Sequence, residues 1–189
     1  MNISRSGLTP ARTLRHVTPV DPIHGVIRRT ARQNKAHGPT ILVFTRQKLD
    51  PIPHGAGFDP HEVWRGAYVL DNYRDGDFTI IATGSEVPLA VKTADLMRGE
   101  GLRARVVSAP CLDLFDRQPL DYQNQVLGNR SRVVAIEAGR SAGWYKYVNH
   151  DALVIGIDRF GASAPYEQIA EHLGFTPQKV AERIRGWKR

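Results

Sequence analysis

DFTIIATGSEVPLAVKTADLMR, residues Asp77 to Arg98, reads as an apolar strand, a tight glycine turn and an amphipathic helix. Phe78 to Ala82 is an unbroken β-favouring run, the pattern of a parallel strand covered on both faces. Ser85 is placed to cap the next helix, Pro88 is tolerated in its first turn, and Val87, Ala90, Val91, Ala94 and Met97 recur at helical spacing. Gly99 and Gly101 end it.

The same grammar repeats outward. Ala67 to Leu70, Ala104 to Ser108, Arg132 to Ile136 and Leu153 to Ile157 read as further strands, separated by helical or turn patterns such as Pro119 to Val126 and the aromatic run Trp144 to Tyr147. Two helices close the chain. Pro165 to Leu173 ends at Gly174, and Thr176-Pro177 starts a helix that turns Val180, Ile184 and Trp187 inward. Helices alternating with apolar strands predict an α/β fold, a three-layer α/β/α sandwich with a mostly parallel sheet. Upstream, Ile23 to Asn34 reads as a basic helix and Thr40 to Phe44 as a buried strand that delivers Thr45-Arg46-Gln47 at its C-terminal end. Residues 51–66, rich in proline and glycine, form a linker, and residues 1–21, broken by Pro10 and Pro19, a disordered N-terminus. Arg5, Arg12 and Arg15 with no acid also suit a mitochondrial presequence, the weaker reading beside disorder.

An apolar fraction of 41% in 189 residues suffices for one real core. No apolar run reaches the roughly 20 residues that span a bilayer, so no membrane association is expected. Cys111, the single cysteine, forms no internal disulfide and fits a reducing compartment, making a cytoplasmic location the expectation. The formal charge of +7 favours anionic partners.

Most specific chemistries find no motif. Gly84 is followed by Glu86 and Leu89 where a dinucleotide fingerprint needs glycines, and Glu86 sets a carboxylate at the helix end that a phosphate would occupy. This turn therefore reads as scaffold. Cys111 lacks a histidine-pairing signature, the histidines lack zinc spacing, and Glu137, just past an apolar strand, has no second carboxylate at a recognisable distance in sequence. RRTARQNK, residues 28–35, carries four cations without aromatic interleaving, so a solvated helix face is preferred over nucleic-acid binding. Arg46 differs in kind. A guanidinium at the C-terminal end of an apolar strand suits a bidentate grip on phosphate.

Gly38-Pro39-Thr40 through Leu49, Gly66 to Leu70, Ile81 to Val87, Ala104 to Ser108, Leu114 to Gln118, Trp144 to Tyr147, Ile157 to Pro165, Gly174 to Pro177 and Val180 to Arg183 together resemble the C-terminal part of transketolase, in order and in spacing. The resemblance implies that residues 22–50 are the last helix and strand of a pyrimidine-binding domain and residues 67–189 a complete transketolase C-terminal domain. It assigns Arg46 to the phosphate of a sugar substrate. The family's catalysis uses thiamine diphosphate and magnesium, and neither a Gly-Asp-Gly metal signature nor the histidine-containing substrate loops occur in residues 1–21.

The expectation is thus a transketolase-like module that binds no cofactor by itself. It would contribute to two-carbon ketol transfer between sugar phosphates only with an N-terminal transketolase subunit as partner. A homodimer or other non-catalytic interaction module, with Trp144, Tyr145 and Tyr147 as interface or core aromatics, is the alternative.

Overall fold

A computed structural model describes the backbone of residues 12–15 and 40–43, and residues 49, 51, 52, 54–70, 73–129 and 132–187. Two four-residue strands, β1 (Arg12–Arg15) and β2 (Thr40–Val43), pair in parallel with Leu14 opposite Leu42. β1 falls within the stretch read as disordered: four residues between the flanking prolines find a partner far along the chain, which local composition does not reveal. The basic helix expected over residues 23–34 lies outside the described residues.

The linker also holds more structure than its composition suggests. Asp59 caps a 3-10 helix, Pro60–Arg65, accepting the His61 N–H at 2.9 Å, and Val63 inserts into the core. Gly66 then takes φ +88, and a Cβ there would collide with the Cys111 carbonyl and the Phe115 nitrogen. Only glycine fits this approach.

Five strands follow: β3 (Tyr68–Val69), β4 (Phe78–Ala82), β5 (Ala104–Ser108), β6 (Val133–Ile136) and β7 (Leu153–Ile155). Their order is β3-β5-β4-β6-β7, with β3 antiparallel to β5 and the rest parallel. All five strands expected in this region form. The helices are α1 (Glu86–Arg98), α2 (Leu112–Phe115), α3 (Leu120–Leu127), α4 (Tyr166–Leu173) and α5 (Pro177–Trp187).

Strand alternation sorts the core into two layers. Phe78, Ile80 and Ala82 of β4 join Val87, Ala90, Ala94 and Met97 of α1 and Val180 and Ile184 of α5 on one face. Ile81 turns to the other, against Phe115, Val126, Leu127, Trp144 and Tyr147. The chain is therefore the expected α/β sandwich, and truncating a central residue such as Ile80 would cost about 2 to 5 kcal/mol. Arg185 of α5 grips Glu100 through two bonds of 2.6 and 2.8 Å, and the Trp187 indole donates to the Asp151 carbonyl, so the last helix is tied to both α1's end and the approach to β7.

Candidate functional site

β4 lies between β5 and β6, and the chain leaves β4 toward β5 but later returns on the opposite side as β6. The loops after such strands diverge and leave a crevice at their C-terminal ends. Here that crevice is a cleft of about 650 Å3, with Thr83 after β4, Ala109 to Asp113 after β5, and Glu137, Gly139 and Arg140 after β6 on its walls.

Thr83 Oγ1 donates to Glu137 Oε2 at 2.7 Å, joining the first residues beyond β4 and β6. Both are buried. Among the described residues Thr83 is the only hydrogen-bond donor to this carboxylate. The loop after Glu137 is pinned to the end of β7: the Ile157 N–H donates to the Gly139 carbonyl at 2.7 Å, and Ser141 gives both its N–H and its hydroxyl to Asp158. Those bonds hold the exposed Asp158 carboxyl below its ordinary range.

Behind Glu137 sits Glu86, 6% exposed. Its Oε1 accepts the Ser85 hydroxyl at 2.6 Å, while Oε2 is buried without a partner. Burial first, with the Glu137 charge adding, pushes its carboxyl up to about 7, against the lowering contact of Ser85. One sequence expectation is corrected here and one is extended by the fold. Ser85 adopts helical backbone angles and makes no side-chain cap, its hydroxyl going to the neighbouring carboxylate instead. Glu137 does have a second carboxylate nearby, 51 positions away in sequence, because Glu86 and Glu137 both follow strands that pair in parallel.

Cys111 reaches the cleft wall as a buried thiol, pushed up to about 11 mainly by burial. It is held as a neutral packing group, as read from its lack of a histidine partner. Trp144 and Tyr147 are core residues rather than interface ones, and Tyr145 is exposed. Tyr147 donates to Asp116 Oδ1 at 2.9 Å, and Lys146 pairs with the same carboxylate at 2.6 Å. Burial and that acceptor raise the Tyr147 phenol far above its ordinary value.

A diphosphate with a metal ion does not suit this donor set. Glu137 and Asp113 set two carboxylates against the single guanidinium of Arg140, and no group of three metal-ligating side chains occurs among the described residues. Arg46, the residue singled out for phosphate, lies outside the described residues. Leu49, three positions on, lines a shallower groove between the start of α1 and α4 with Pro88, Tyr166 and Phe175. No helix among the described residues is long and apolar enough to cross a membrane.

Around the same end of the sheet, residues 158–168 are exposed without interruption. Phe160 is 97% exposed and Tyr166 51%. The sequence marked Ile157 to Pro165 only as a stretch of family resemblance; its exposure, with Phe160 between Arg159 and a Gly-Ala-Ser-Ala-Pro stretch, emerges from the fold.

A family model described as "Transketolase-like TK C-terminal domain" matches residues 66–176. A protein named "Transketolase" from Aquifex aeolicus (strain VF5) is 43% identical over 152 residues, covering 79% of this chain and 22% of that protein. A solved structure of transketolase from Leishmania mexicana superposes with a TM-score of 0.76 at 36% identity, over 94% of this chain and 25% of that one. A structure described as "Split gene transketolase, inactive beta4 tetramer" shares the fold with a TM-score of 0.66 at 20% identity, over 93% of this chain and 57% of that one. The chain spans about a quarter of the length of the full-length relatives it matches.

Proposed function

This chain belongs to the transketolase family, and from that premise we propose that it acts as the C-terminal part of a transketolase-type enzyme. In this reading it supplies scaffold and docking surface and places Arg46 on the phosphate of a sugar-phosphate substrate. Two-carbon ketol transfer then depends on diphosphate- and pyrimidine-binding domains in a partner chain, which would hold thiamine diphosphate and magnesium.

The observation that carries the reading is the surface at the C-terminal end of the sheet. An apolar aromatic exposed as fully as Phe160, in a run of eleven exposed residues beside a cleft, favours a face that another domain covers. The poor match between the cleft's carboxylates and a diphosphate supports assigning the cofactors elsewhere. The split-gene neighbour supports the idea that a transketolase is divisible between chains, since its own description names such a protein.

The test combines the chain with a separately produced chain carrying the other two domains, in the presence of thiamine diphosphate, magnesium, a ketose phosphate and an aldose acceptor. Ketol transfer is expected from the mixture and not from either chain by itself. In the active mixture, Arg46→Ala is expected to raise KM for phosphorylated acceptors by about tenfold to a hundredfold, as loss of a charged hydrogen bond implies, and to leave unphosphorylated acceptors unchanged. Turnover by the chain without a partner, or equal effects on both acceptor classes, overturns the assignment.

A further inference from the structure

We propose that the cleft at the C-terminal ends of β4, β5 and β6 is a binding site for an uncharged molecule carrying a vicinal diol, with Glu137 as the group that receives its hydroxyls. This site is independent of Arg46 and of any ketol transfer.

Glu137 has one carboxylate oxygen left to offer a ligand. Oε2 is occupied by Thr83, and the carboxylate is 9% exposed, so its position is set by the strands and not by a mobile side chain. Oε1 has no donor among the described residues and lies toward Gly139, where an added Cβ would stand 3.4 Å away. A side chain at that position would therefore sit against the oxygen. A carboxylate beyond a parallel strand, with free lone pairs at the sheet's crevice, is suited to accept adjacent hydroxyls, as in sites that hold a ribose.

Charge and composition then narrow the class. Glu137 and Asp113 outnumber Arg140 on the lining, which opposes a phosphorylated ligand. Arg140 in the same cleft opposes a simple cation. A lining that contains both acceptor carboxylates and a donor guanidinium suits hydroxyl groups, which donate and accept at once. Pro110 and Trp144 supply apolar wall for a carbon skeleton. About 650 Å3 falls within the range of small-molecule sites and admits a free sugar or a ribonucleoside.

The two sources share the diol, and binding measurements on the full chain separate them. The probes are adenosine, 2′-deoxyadenosine, D-ribose and adenosine 5′-monophosphate, followed by ligand-observed NMR. Adenosine is expected to bind, 2′-deoxyadenosine and the monophosphate about tenfold or more weaker, as loss of one hydrogen bond to a charged group and added repulsion imply. Ribose binding as well as adenosine assigns the site to a free sugar, and ribose failing where adenosine succeeds assigns it to a nucleoside.

Glu137→Gln puts an amide donor at the Oε1 position while keeping an oxygen for Thr83, and is expected to weaken the diol about tenfold or more. Gly143 lines the cleft at a position where an added Cβ meets no atom within 4 Å; Gly143→Trp is expected to fill the cleft and abolish binding, with circular dichroism and a thermal melt checking that the variant is folded. Absence of binding by both diols at millimolar concentration overturns the proposal. So does equal affinity for the deoxy analogue, or undiminished affinity in folded Glu137→Gln or Gly143→Trp.

Discussion

The two ends of the parallel sheet are built to different standards. At the N-terminal end, Asp77 N–H donates to the Arg103 carbonyl and the Asp77 carboxylate accepts the Arg103 N–H in return. Arg105 donates to the carbonyls of Arg74 and Gln125 at 2.9 and 2.8 Å, and Gly76 packs directly on the backbone of β5. At the C-terminal end, Glu86 keeps a buried oxygen without a partner, Glu137 keeps one oxygen uncovered, and Phe160 stands in solvent. Closed packing marks the end that holds the fold together. Incomplete satisfaction marks the end left for something else to contact.

Substitutions can break that contrast, and the largest effect belongs to the closed end. A Cβ at Gly76 would meet the Arg105 nitrogen and the Ala104 carbonyl carbon, both backbone atoms of the central sheet, well inside contact distance. Gly76→Ala is expected to cost about 3 kcal/mol or more in a denaturant melt. A cost below about 1 kcal/mol would show that this end yields as easily as the other.

The middle effect tests whether the open end carries electrostatic stress. Glu86 titrates near 7 when folded, against an ordinary 4.5. Between those values the folded state binds the extra proton, so stability is fullest below 4.5 and falls as pH rises through about 7. The loss at pH 8 is at most about 3 kcal/mol. Glu86→Gln removes the ionisation but retains a buried amide, so a gain of about 1 to 2 kcal/mol at pH 8 is expected, vanishing toward pH 4.5. A gain of the same size at every pH would rule out the Glu86 charge as its source, whatever Glu137, Tyr166 and Lys92 around it contribute.

The smallest effect sharpens the contrast from the other side. Phe160→Ser, at a fully exposed position, is expected to change the stability of the isolated chain by less than about 0.5 kcal/mol. The same substitution should weaken assembly with a partner chain in analytical ultracentrifugation. A substantial loss of stability without a partner would mean that Phe160 packs on its own domain.

Legibility followed the range of the interactions. The strands and helices from Ala67 onward were visible because each is written in local periodicity, as in Phe78 to Ala82 or Val180, Ile184 and Trp187. The Pro60–Arg65 helix was hidden by the prolines and glycines of the stretch leading into it, since its Asp59 cap and its packing through Val63 matter only once β3 is in place. Cys111 was legible as a packed thiol, and it is buried in the core.

By itself the sequence determined the fold class, the order of the elements and the family, because apolar period, turn residues and motif spacing are properties of the chain read in order. Tertiary structure alone decided the site. Thr83 meets Glu137, and Glu86 comes to lie beside it, only because β4 and β6 are neighbours in parallel register, with Ala82 opposite Ile136. Strand order, not spacing along the chain, sets which strand ends face each other, and burial at that junction then lifts one carboxylate toward neutrality while leaving the other to receive a ligand.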